Sequence, residues 1–324
     1  MDQQKLPVGA VTSADVARIL DDAKVPSLLM GDQVMGFYKE PADFGDLIFV
    51  VEDDQVEEAK DALDAAFPAG SRSTGIPGYE IPYGLCTEPE CIELEEDRTI
   101  HEDYTFRGTQ APKHPKSEHH FHTELQNVVI HIMRKTDLLW WLPRMTLDMP
   151  DKNHAYLTVS TNRCLPQRGA NQDDEEGGPC GPWRGLYPVR ILKPGRLIEA
   201  LCWLWMRDCR EFGDGSVSRW IMWNSMLVGM REQWKKAQGA GGKIASLWHT
   251  AADFERAFKW HGGEFPDSVR RHRGWGGSPY QIALLKLRDK LMEEGGFPIE
   301  LCVQKKLPEF DLADDEKQRF PWLV

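Results

Sequence analysis

Apolar and polar positions in the first third of the chain follow two different periods. In ADVARILDDAKV (residues 14–25), Val16, Ile19, Leu20 and Val25 recur at roughly helical spacing, and Thr12 or Ser13 can cap the segment. SLLM (27–30) then reads as a short buried strand, residues 32–39 suggest a second helix, and a strand LIFVVED (47–53) follows the turn region 41–45. In DQVEEAKDALDAAF (54–67), Val56, Ala59, Leu63 and Ala66 lie on one side with acids on the other, which predicts an amphipathic helix. Residues 68–89 are rich in Gly, Pro and Ser and predict a loop.

Further along, CIELEED (91–97) alternates apolar and acidic residues, so Glu93 and Glu95 share one strand face. NVVIHIMRK (127–135) is the clearest strand of the chain, TDLLWWLPRM (136–145) opens on a potential helix cap, and HAYLTVS (154–160) is a further short strand. Residues 166–182, PQRGANQDDEEGGPCGP, bury little and predict a linker or surface loop. Beyond it, segments 195–212, 218–237, 252–262 and 278–295 are helix-like, with no clear strand alternation. The expected organisation is α+β: a mixed sheet with flanking helices over 1–165, the linker 166–182, and a mainly helical domain over 183–324. Trp203, Trp205, Trp220 and Trp223 are expected in the core of that second domain, because aromatic rings supply much of the area a helical bundle buries.

Composition changes the picture in three ways. The net charge of −12 disfavours a general nucleic-acid binder, although SVRRHRGW (268–275) offers a local basic strip in which Arg270, Arg271 and Arg273 could meet tRNA. The seven cysteines are an odd number scattered from Cys86 to Cys302, which fits reduced thiols rather than a disulfide framework, and Cys86 with Cys91 lacks the second pair a zinc knuckle needs. With no apolar run long enough to span a bilayer and no signal-peptide pattern at the start, the expected location is cytoplasmic and no membrane partner is expected.

Candidate chemistry sits in two places. One is the run 27–54, where a short strand ends in Gly31-Asp32, a helix follows, and Asp46-Leu47-Ile48 opens the next strand. The other is SEHHFHTE (117–124), where His120 and His122 are two apart and project to one face of an extended backbone, together with Glu118 and Glu124. Such a pair suits metal ligation, proton shuttling or phosphate contact. GAGGK (239–243) lacks Walker spacing and reads as a helix stop.

The order helix, strand, glycine turn, helix, acid-bearing strand resembles the DNA polymerase β-like nucleotidyltransferase superfamily, and is similar to its divergent fungal members, over about the first 150 residues. Gly31-Asp32 stands where the family has Gly-Gly or Gly-Ser, and Asp46-Leu47-Ile48 where it has Asp-x-Asp. The resemblance implies that Gly31 and Asp32 lie near a substrate phosphate, that Asp46 binds Mg2+, and that a later acid, Glu93, Glu95 or Glu124, completes the centre. Ile48 removes the second ligand of the motif. Glu52 or Asp53 at the strand end, or Glu93 with Glu95, are the available replacements.

The sequence therefore leads to a divergent nucleotidyltransferase-like enzyme, a transferase taking a nucleotide or amine-bearing small substrate in an acidic cleft between the domains. Asp46, His120, His122 and Glu124 are the candidate catalytic residues, and Gly31, Asp32, Glu93 and Glu95 the candidate substrate contacts. Two alternatives stand beside it. One is a repurposed transferase such as a tRNA-dependent arginine-containing cyclodipeptide synthase, with an aminoacyl-tRNA as partner; the other is a non-catalytic small-molecule-binding protein.

Overall fold

The computed structural model describes residues 8–35, 47–73, 80–86, 117–123, 129–162, 165, 183, 185–208, 224–225, 227–231, 245–258, 279–297 and 314–319. The chain divides into two compact units, Met1–Ile100 with Pro112–Pro194, and His101–Ala111 with Gly195–Val324.

The first unit is built on an eight-stranded mixed sheet. Its strands are β1 (Ser27–Met30), β2 (Leu47–Val51), β3 (Gly70–Ser73), β4 (Glu80–Leu85), β5 (His119–His122), β6 (Val129–Arg134), β7 (Leu157–Val159) and β8 (Arg190–Leu192). Their spatial order is β3-β4-β5-β6-β2-β1-β8-β7, with β2·β6 and β1·β8 parallel and every other neighbour antiparallel. All residues of β1 and β2 are buried, as expected of central strands covered on both faces.

Helices α1 (Val8–Asp22) and α3 (Val56–Ala66) pack against each other and against the central strands. Val56, Ala59 and Leu63 are buried on α3, at the spacing the amphipathic pattern predicts. Each large aliphatic side chain so removed from water contributes about 1.5–3 kcal/mol. The short helices α2 (Asp32–Met35) and α4 (Lys135–Leu138) follow β1 and β6.

Two parts of this unit depart from expectation. Residues 70–73 and 80–85 form the β3–β4 hairpin where the Gly, Pro and Ser content predicts loop. Among the described residues the pairing with β5 covers Gly84 and Leu85. Strand β8 lies inside the segment expected to be helical, and Leu29 pairs with Ile191. Three residues are too few to show alternation. Burial of Arg190 at the end of β8 is made tolerable by Asp21, whose carboxylate accepts from Arg190 at 2.7 Å and from the Tyr187 hydroxyl at 2.7 Å. Burial, reinforced by that carboxylate, pushes the Tyr187 phenol up to about 12.

The second unit is helical in all its described elements: α5 (Pro194–Asp208), α6 (Ala252–Phe258), α7 (Pro279–Glu293) and α8 (Asp314–Arg319), with a 3-10 turn at Ala245–Trp248. Trp203 stacks on Phe297 at 5.1 Å and meets Phe254 edge-on at 5.6 Å, and Trp205 is buried. Trp205 is core, as expected, while Trp203 is half-buried in its aromatic cluster; Trp220 and Trp223 lie outside the described residues. A closed polar knot lies in the same unit. The Asn224 amide donates to Ile198 O at 2.8 Å and to the Cys202 sulfur at 3.0 Å, while the Tyr280 hydroxyl donates to Asn224 Oδ1 and lies 3.4 Å from Cys202. No described helix is long and apolar enough to cross a membrane.

Candidate functional site

Strand β5 carries the sequence HHFH, and its alternation divides two surfaces. His119 and Phe121 point to the side of α3, where the His119 ring meets the Glu57 carboxylate at 3.0 Å and Phe121 is fully buried. The hydrogen bond from His119, with Lys60 as a lesser cause, holds the Glu57 carboxyl below its usual range. His120 and His122 therefore point to the opposite face, as the two-residue spacing predicts.

Register then determines their neighbours. His120 is paired with His131 of β6, and His131 with Ile48 of β2, which in turn faces Met30 of β1. On the other side, Gly84 pairs with His122 and the Cys86 amide donates to His120 O at 3.0 Å, so Cys86 extends the ladder opposite His120. Directly paired residues project to one side of a sheet. One row across five strands thus reads Cys86, His120, His131, Ile48, Met30.

Within that row the His120 and His131 rings stack at 5.9 Å, and His120 meets His122 edge-on at 5.1 Å. Nδ1 of His131 lies 3.2 Å from the Ser117 hydroxyl, which fixes the ring's orientation. His120 and His131 are buried, whereas His122 and Cys86 are half-buried. The ligand atoms of Cys86, His120 and His122 all lie within 4.8 Å of one another.

The glycine turn adjoins the same row. Gly31 has φ +82°, and a Cβ built on it would come 2.9 Å from Cδ1 of Ile48. The turn after β1 and position 48 are therefore in contact, on the face that carries the imidazoles. Gly31, His120 and His122 share one surface.

Of the acids expected to substitute for position 48, Glu52 and Asp53 are engaged elsewhere. Glu52 and Asp53 follow the far end of β2, about 13 Å along the strand from Ile48 at ~3.3 Å per residue. The Glu52 carboxylate accepts from Met145 N at 2.6 Å and lies 3.5 Å from Lys135 Nζ. Asp53 caps α4 by accepting from Thr136 N at 3.1 Å and Thr136 Oγ1 at 2.6 Å. Both hold the segment after β6, so neither serves the Gly31 side. Strand β6, the neighbour of β2, carries no acid in Val129–Arg134 and presents His131 opposite Ile48.

Asp46, Glu93, Glu95, Glu124 and the basic residues Arg270, Arg271 and Arg273 lie outside the described residues, as does the side chain of Asp32. Sequence reasoning missed His131 and the place of Cys86 beside His120. An imidazole in the middle of the apolar strand NVVIHIMRK was the available signal for His131. The sequence offers Cys86 only as a close pair with Cys91, and its place beside His120 depends on the β4–β5 pairing. No family model, no curated protein and no solved structure matches this chain.

Proposed function

We propose that this chain is a transferase on a nucleotidyltransferase-like sheet, acting on a nucleotide or an amine-bearing small substrate at the face that carries Gly31 and the imidazoles. The observation that carries the reading is the contact between the Gly31 turn and position 48, which stands in the same row as His131 and His120. In the superfamily that the sequence resembles, the matching turn and strand meet at the reacting phosphate.

The side chains adapt this surface to different chemistry. Ile48 offers no oxygen to a second magnesium ion, and magnesium demands oxygen ligands in a tight octahedron. Imidazoles can instead remove a proton from an amine or hydroxyl nucleophile and return it to a leaving group near neutral pH. In the metal-free chain half-buried His122 is the proton carrier that solvent and substrate can reach, with the His120 ring edge-on beside it at 5.1 Å.

The test is a transfer assay offering nucleoside triphosphates and aminoacyl-tRNA as donors, with amino acids and polyamines as acceptors, read by mass spectrometry. Turnover that falls about 10²–10⁴-fold in His122→Ala is the expected result. Tight binding of a donor with no product from any pairing would instead favour a binding protein, and a cyclic dipeptide from aminoacyl-tRNA would identify the repurposed transferase. Asp46→Ala measures whether an acid-held magnesium still contributes.

A further inference from the structure

We infer that Cys86, His120 and His122 form a binding site for a zinc-class divalent ion. Three lines of geometry meet there. The donors are a thiol and two imidazoles, the set that selects zinc and related transition ions over magnesium or calcium. Their ligand atoms already lie within 4.8 Å of one another. Zinc bonds of about 2.3 Å to sulfur and about 2.0–2.1 Å to nitrogen put tetrahedral ligands roughly 3.3–3.6 Å apart, so side-chain rotations closing about an ångström complete the site.

The backbone beneath is fixed in advance. His120 and His122 stand two residues apart on one strand, and Cys86 is locked beside His120 by its N–H bond to His120 O at 3.0 Å. Gly84 turns β4 just before Cys86 with φ +102°, and any Cβ there would strike the Ala69 backbone at 2.6 Å. The His131 ring, stacked on His120 and held by Ser117, keeps the second imidazole from rotating away. Such support from behind a ligand is what tunes metal affinity.

Burial also varies across the three. His120 is 3% exposed while Cys86 and His122 are half-buried, so an ion held by them would be anchored on the sheet and approached from the side of Cys86 and His122. Three donors among the described residues match the count of a catalytic zinc centre, in which a fourth position belongs to water or substrate.

The test uses the full chain, stripped with a chelator and titrated with Zn2+ against a chromophoric competitor, then loaded with Co2+ for its absorption spectrum. One zinc per chain and a thiolate-to-cobalt charge-transfer band are the expected results. Cys86→Ser should abolish that band, and both Cys86→Ser and His122→Ala should weaken zinc by roughly a hundredfold or more. His119→Ala, on the opposite face, should leave binding unchanged. A wild-type chain with no charge-transfer band, or zinc affinity untouched by Cys86→Ser, overturns the site. Zinc binding is read without turnover, so a chain that binds zinc and transfers nothing keeps the metal site and loses the transferase reading.

Discussion

Two cysteines of this chain sit in polar clusters, and the clusters differ in whether they are closed. Cys202, in the second unit, is fully buried; Asn224 donates to its sulfur, and the Tyr280 hydroxyl lies close by. The two partners bond to each other as well. Burial pushes the Cys202 thiol up to about 12, although its hydrogen bonds from Tyr280 and Asn224 pull the other way. Cys86, in the first unit, is half-buried at a strand end, with two imidazoles offering nitrogens toward its sulfur. A polar group saturated by its neighbours stabilises a fold, whereas converging donors beside solvent can take a ligand.

Thiol chemistry should break or sharpen this contrast most strongly. Raising Cys202 from an ordinary 9.0 to about 12 cuts its thiolate fraction at neutral pH roughly a thousandfold. Iodoacetamide should therefore label Cys86 in the folded chain and reach Cys202 only on unfolding, as read by peptide mass spectrometry. Comparable labelling of both would dissolve the distinction.

Stability should show the reverse ranking. Asn224→Ala removes three hydrogen bonds of a buried site, to Ile198 O, the Cys202 sulfur and the Tyr280 hydroxyl, and a loss of about 1–3 kcal/mol in denaturant unfolding is expected. His122→Ala removes a half-buried ring, and a loss below about 1 kcal/mol is expected. Equal losses would mean that the imidazole cluster is a structural knot of the same kind.

A smaller effect tests whether histidines outside the cluster behave as fold elements. His154 Nδ1 accepts from Tyr156 N at 3.2 Å and Leu157 N at 2.9 Å at the entrance to β7. Burial, followed by the charge of Lys193, lowers its pKa below the ordinary 6.5. With the folded value depressed, the unfolded chain binds more protons in between. The stability His154 supplies is then complete above pH 6.5 and is lost as pH falls through the lower folded value. Urea midpoints measured from pH 7 downward should decline less steeply in His154→Ala. An unchanged slope would remove the role.

Legibility in the sequence followed the range of the interaction. Helix α3, strands β2 and β6, and the shared face of His120 and His122 follow from periods of a few residues, and the structure repeats them. Cys86 and His131 joined the site through strand register, which pairs residues 34 and 11 positions away from His120. That pairing depends on the competition among whole strands for partners. The β3–β4 hairpin escaped for the same reason, since its Gly and Pro content predicts turns and only the neighbouring strand makes it sheet. Glu52 and Asp53 were eligible by type and excluded by direction, because β2 carries them away from Gly31.

Ile48 splits its row into a hydrocarbon end, with Met30, and a lone-pair end, with His131, His120 and Cys86. Hydrocarbon at the first offers an ion nothing, while the imidazoles and thiol of the second offer it lone pairs, so the chemistry of the row changes at β2. An aspartate at position 48 would move that change by one strand, setting a carboxylate between the glycine turn and the imidazoles.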